Sequence, residues 1–133
     1  MSVFSLEEIT AVDGKYKFFK LVKDGVCEFD EFVKSIRKST SFASELISIY
    51  AYFDMVANLC TLPQTKFKEI TPEKEGVKEY EFKTKHLRIY AIHEKDTGKV
   101  IICGGKKNSQ KSDINHFRSV KKQYVSSLST TKL

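Results

Sequence analysis

Apolar positions along the chain switch between a two-residue and a 3.6-residue period, and each switch predicts a new element. Lys15 to Val22 is dense in aromatic and branched residues and runs into Lys23-Asp24-Gly25, a turn signal, so it predicts a strand. Phe29, Phe32, Val33 and Ile36 then follow i, i+3, i+4, i+7 spacing and predict a short amphipathic helix from Asp30 to Lys38. After the break at Lys38-Ser39-Thr40-Ser41, a longer helix is predicted from Phe42 to Leu59. Its stripe is Phe42, Leu46, Ile49, Phe53, Val56 and Leu59/Cys60, with Pro63 beyond its end. The two make a helical hairpin. Residues 62–76, with Pro63, Pro72 and Gly76, read as a connector.

The second half predicts an antiparallel meander. Val77 to Thr84, Leu87 to His93 and Lys99 to Gly105 are strand-like, joined by a tight turn at Lys85-His86 and by Lys95-Asp96-Thr97-Gly98. Ser112 or Asp113 then caps a closing helix with Ile114, Phe117, Val120 or Lys121, and Tyr124 on one side. The expected fold class is α+β: a helical hairpin packed on a small, mostly antiparallel sheet, with a C-terminal helix. Residues 1–133 form one domain, with a core of residues 15–125 and a flexible tail at 126–133.

Composition narrows the function classes. Hydrophobic residues are 41% and charged residues 30% of the chain, as in ordinary globular proteins. No apolar run reaches the length of a membrane span, and the first residues carry acids where a signal peptide needs cations, so the expected location is the cytoplasm, with no membrane partner. Cys27, Cys60 and Cys103 are odd in number and more than thirty residues apart, which fits neither a disulfide framework nor a zinc site, so they read as three buried small apolar groups. The spacing of His86, His93 and His116 suits no metal either, so no metal and no cofactor is expected.

Charge is the strongest compositional signal. Residues 1–63 hold seven Lys/Arg against nine acids, whereas residues 64–133 hold sixteen against eight. Basicity concentrated in one half is the footprint of a polyanionic partner such as nucleic acid, although a lysine-rich solubilising surface has the same composition.

A two-residue turn at Lys85-His86 sets a register: Thr84 opposite Leu87, Lys83 opposite Arg88, Phe82 opposite Ile89, and Glu81 opposite Tyr90. Tyr80, Phe82, Leu87, Ile89 and Ala91 then face the helical hairpin, and Glu81, Lys83, Arg88 and Tyr90 fall on the other face. Lys83 and Arg88 repel unless something negative lies between them, and either an anion or Glu81 can fill that role. On this reading Arg88→Ala changes stability little. Gly104-Gly105-Lys106-Lys107-Asn108-Ser109-Gln110-Lys111 leaves the last strand as a basic loop. It lacks the spacing of a nucleotide-binding phosphate loop, but Lys85, Lys106, Lys107 and Lys111 are candidate RNA-phosphate contacts.

The order of elements, with Glu79-Tyr-Glu-Phe-Lys83, Leu87-Arg-Ile-Tyr90, Gly105-Lys-Lys107 and Ile114 to Tyr124, resembles the RelE/ParE superfamily of toxins, in particular its HigB-like, phage-derived branch. Residues 15–70 agree in pattern only. The resemblance implies the toxin of a type II toxin–antitoxin pair, a metal-independent endoribonuclease (mRNA interferase) that cuts mRNA in the ribosomal A site and is restrained by a cognate antitoxin. It assigns Arg88, Lys83 and Lys107 to the charge developing on phosphate. His116, within Asn115-His116-Phe117, stands where the family places a catalytic tyrosine or histidine. Proton transfer falls to His116 or Glu81. Glu81 stands where the family can have lysine, and the closing helix does not begin with tyrosine. Two rivals share the fold: a ParE-like inhibitor of DNA gyrase without a nuclease site, and a non-toxic binding module.

Overall fold

The computed structural model describes residues 2–72 and 76–131, with side chains as far as residue 128. The chain runs β1 (Phe4–Glu8), β2 (Phe18–Lys23), α1 (Glu28–Ile36), α2 (Thr40–Ala57), β3 (Phe67–Glu69), β4 (Glu79–Lys83), β5 (Leu87–Glu94), β6 (Gly98–Lys106), a short 3-10 turn (Lys107–Ser109) and α3 (Gln110–Thr131). The six strands form one sheet in the order β1-β2-β6-β5-β4-β3. Neighbours pair antiparallel, except that β2 runs parallel to β6, with Phe18 opposite Lys99.

The meander register follows the turn argument: Phe82 pairs with Ile89, Glu81 with Tyr90 and Lys83 with Arg88, while Thr84 N donates to Leu87 O. The two edge strands are additions to the sequence expectation. Phe4-Ser-Leu-Glu-Glu offers only two alternating apolar residues, and Phe67-Lys-Glu is a three-residue strand inside the presumed connector. The stretch expected to fray from residue 126 is helical as far as Thr131.

Both faces of the sheet are covered. Leu87, Ile89 and Ala91 of β5 join Phe18 and Phe82 in a core with Phe29, Val33, Ile49 and Phe53 of α1 and α2. The alternate residues Tyr90 and Ile92, with Val100 and Ile102 of β6, pack against Phe117, Val120 and Tyr124 of α3. A register shift between Tyr90 and Ala91 lets the sequence neighbours Ile102 and Cys103 both serve this second core. The α3 stripe thus finds its apolar partner on the face that carries Glu81, Arg88 and Tyr90, and all three are buried. Glu79, 2% exposed, binds Arg118 Nε at 2.9 Å and Lys121 Nζ at 2.8 Å and fastens α3 to β4. No helix among the described residues is long and apolar enough to cross a membrane.

Candidate functional site at the tight turn

The β4–β5 turn and the end of β6 lie side by side, because Lys107 N donates to His86 O at 2.8 Å. This brings Lys85, His86, Lys106 and Lys107, all exposed, to one end of the sheet. Their shared position follows from the turn length. Two residues are enough to close the hairpin, and strand pairing of Leu87 with Lys106 fixes where β6 ends against it.

Helix α2 supplies the rest. One carboxylate oxygen of Glu45 accepts from Thr84 Oγ1 and, at 2.7 Å, from His86 N; the other lies 2.6 Å from His86 Nδ1. Phe42, one helical turn earlier, meets the His86 ring edge-on at 5.7 Å, and Lys106 Nζ lies 5.0 Å above the Phe42 ring centroid. Phe42, His86, Lys106, Lys107 and Asn108 line an open hollow of 540 Å³. Partial burial pushes the Glu45 carboxyl upward, but the donations from Thr84 and from the backbone and ring of His86 outweigh it and hold the group below the usual carboxylate range. A carboxylate on Nδ1 selects the tautomer whose Nε2 carries the lone pair, and no described residue bonds His86 Nε2. The arrangement is an oriented imidazole beside cations and an aromatic face, which suits proton transfer next to a bound phosphate.

The residues singled out from the sequence divide into three groups. Lys85, Lys106 and Lys107 belong to this rim, and Lys111 lies exposed at the start of α3. Glu81, Lys83 and Arg88 lie on the face beneath α3. Glu81 is 2% exposed, accepts from Gln110 Nε2 at 2.7 Å and lies 3.9 Å from Lys83 Nζ, so it offsets the charge of Lys83. Arg88 is 7% exposed and spends Nη1 on the carbonyl oxygens of Thr84 (2.6 Å) and Leu87 (2.8 Å); its Nε has no partner among the described residues. Arg88 is therefore enclosed by protein at the turn, on the face opposite Leu87 and Ile89. His116 stands apart on α3 with Nε2 2.8 Å from Glu28 of α1, and among the described residues it has no contact with Glu81, Lys83 or Arg88.

Sequence reasoning missed Glu45, Phe42 and the role of His86. A signal was present: Glu45 is the only charged residue between Lys38 and Asp54, on a helix otherwise read as core. Among the described residues no three His, Cys, Asp or Glu side chains are grouped as metal ligands. The chain matches no protein-family model, no curated protein and no solved structure.

Proposed function

We propose that this protein is a metal-independent endoribonuclease whose working site is the rim around His86. The observation that carries the reading is the Glu45–His86 contact, set among Lys85, Lys106 and Lys107 and beside the Phe42 ring. In the reaction His86 Nε2 takes the proton of a ribose 2′-hydroxyl as that oxygen attacks the adjacent phosphorus. The bond from phosphorus to the 5′-oxygen breaks, and the imidazolium returns its proton to the departing oxygen, leaving a 2′,3′-cyclic phosphate. Glu45 stabilises the imidazolium, Lys106 and Lys107 face the charge on the phosphate oxygens, and Phe42 offers a surface on which a base stacks. The proton-transfer role thus moves from His116 and Glu81 to His86.

The order of elements that resembles RelE/ParE toxins supports a narrower form of the proposal: a HigB-like toxin that cuts mRNA on the ribosome and is held by an antitoxin. The test is cleavage of a defined mRNA, free and on programmed ribosomes, in the presence of a chelator. Expected is a cyclic-phosphate product, no cut where the attacking 2′-hydroxyl is replaced by hydrogen, and a loss of about a hundredfold or more in His86→Ala. No cleavage by the wild type in either setting, or full activity in His86→Ala, overturns it.

A further inference from the structure

At the opposite end of β6, on the face covered by α2, Lys99 is enclosed without an acidic partner. It is 6% exposed, and among the described residues it joins no ion pair with a carboxylate. Its Nζ lies 2.9 Å from His93 Nδ1, the side chain directly across the β5–β6 ladder. Two phenol rings close the sides: Tyr80 of β4 at 4.8 Å and Tyr16, from the loop before β2, at 5.1 Å. Tyr16 is 39% exposed and meets the His93 ring edge-on, so it is the wall between Lys99 and solvent.

Burying a lysine without a carboxylate is costly, and a structural role alone leaves the choice of residue unexplained, because an apolar side chain at this position of β6 would pack without that cost. We propose that Lys99 is a nucleophilic amine that condenses with small carbonyl compounds, with His93 as its proton acceptor. The lone pair of Nζ attacks the carbonyl carbon, and a proton passes from Nζ through His93 Nδ1 to the carbinolamine oxygen. Water then leaves with the second amine proton, and an imine remains. Nothing is oxidised or reduced.

The surroundings suit each step. Burial brings the Lys99 amine down to about 8, against about 10.4 for an ordinary lysine. Burial and the neighbouring Lys99 charge also lower His93, so its ring stays neutral and able to accept. The phenol faces favour the ammonium by cation–π attraction and oppose the shift, and with Lys99 6% exposed Nζ is open only to a small reagent. Tyr16, Tyr80 and His93 are the titratable groups in contact with Nζ among the described residues.

The test is limited labelling of the intact wild-type protein with acetaldehyde and cyanoborohydride, which reduces the imine to a stable amine, followed by peptide mapping by mass spectrometry. At pH 7.5 roughly a quarter of an amine with a midpoint of 8 is unprotonated, against about one in a thousand for an ordinary lysine. After allowance for restricted access, Lys99 is expected to label at least tenfold faster than the nearby Lys15 and Lys17, with a rate that levels off above about pH 8. His93→Phe should label more slowly than wild type in the same folded state, checked by thermal melting. Labelling of Lys99 no faster than Lys15, or a rate still rising with the surface lysines above pH 9, overturns the proposal.

Discussion

Arg88 donates from Nη1 to the carbonyl oxygens of Thr84 and Leu87 while its Nε has no partner among the described residues, so its contribution is a difference between opposing effects. Releasing Thr84 O and Leu87 O in Arg88→Ala should cost about 1.5–3 kcal/mol, the usual net worth of a hydrogen bond from a charged donor, since the unpaired Nε offsets part of the second bond. Chemical denaturation checks this, and the outcome differs from the near-neutral change that opposition to Lys83 alone suggests. Glu45 carries a pH signature. Its folded-state carboxyl titrates below the unfolded one, so its stabilisation is complete above the unfolded value of about 4.5 and is lost as pH falls through the lower, folded value. Melts of the wild type should therefore lose more stability between pH 5 and pH 3 than melts of Glu45→Gln. The strand opposition of Lys83 and Arg88 was legible from turn length alone. The contact of Glu45 with His86 was not, because periodicity says which face a helical residue occupies but not which strand end lies across from it.

Periodicity served best for elements that bury a long stripe, and the register of β4 against β5 followed from one two-residue turn. It failed for β1 and β3, which are edge strands with few apolar residues and owe their form to backbone pairing with β2 and β4. The placement of α3 was also illegible. Its stripe demands an apolar surface, and either face of β5 could provide one, since Tyr90 and Ile92 are as apolar as Ile89 and Ala91. On the face that α3 takes, a buried carboxylate, Glu79, is shared by Arg118 and Lys121 and ties the helix to β4. Glu79→Ala leaves Arg118 and Lys121 without their carboxylate, but both side chains are partly exposed and regain water, so the expected loss is about 1–3 kcal/mol. Hydrogen exchange should locate it, with α3 amides losing protection before those of β5. Uniform loss across the sheet would show that Glu79 supports the strands instead.

Across the whole molecule, the basic excess of residues 64–133 is less available than its count implies. Arg118 and Lys121 are consumed by Glu79, and Arg88 and Lys99 are buried. Of the exposed lysines that remain, Lys66, Lys68, Lys95 and Lys122 lie elsewhere on the surface, and Lys85, Lys106, Lys107 and Lys111 are the set at or next to the tight-turn end of the sheet. Four phosphate contacts to single-stranded RNA predict that log affinity falls against log salt with a slope of about −3, and that removing both Lys106 and Lys107 flattens it by about 1.4. Titrations at several salt concentrations measure both. An unchanged slope in the double variant would place the RNA elsewhere.

The parallel pairing of β2 with β6 has a kinetic side. Phe18 meets Lys99, a partner most of the chain away, so the β1–β2 hairpin has no neighbour until β6 exists. Closing so long a loop is slow compared with zipping up the β4–β5–β6 meander, whose contacts are local. Refolding should pass through an interval in which the meander is assembled while the β2 edge, with Phe18 and Leu21, is still exposed. During that interval two growing chains can pair β2 with the β6 of the other copy, and yield should then fall as protein concentration rises.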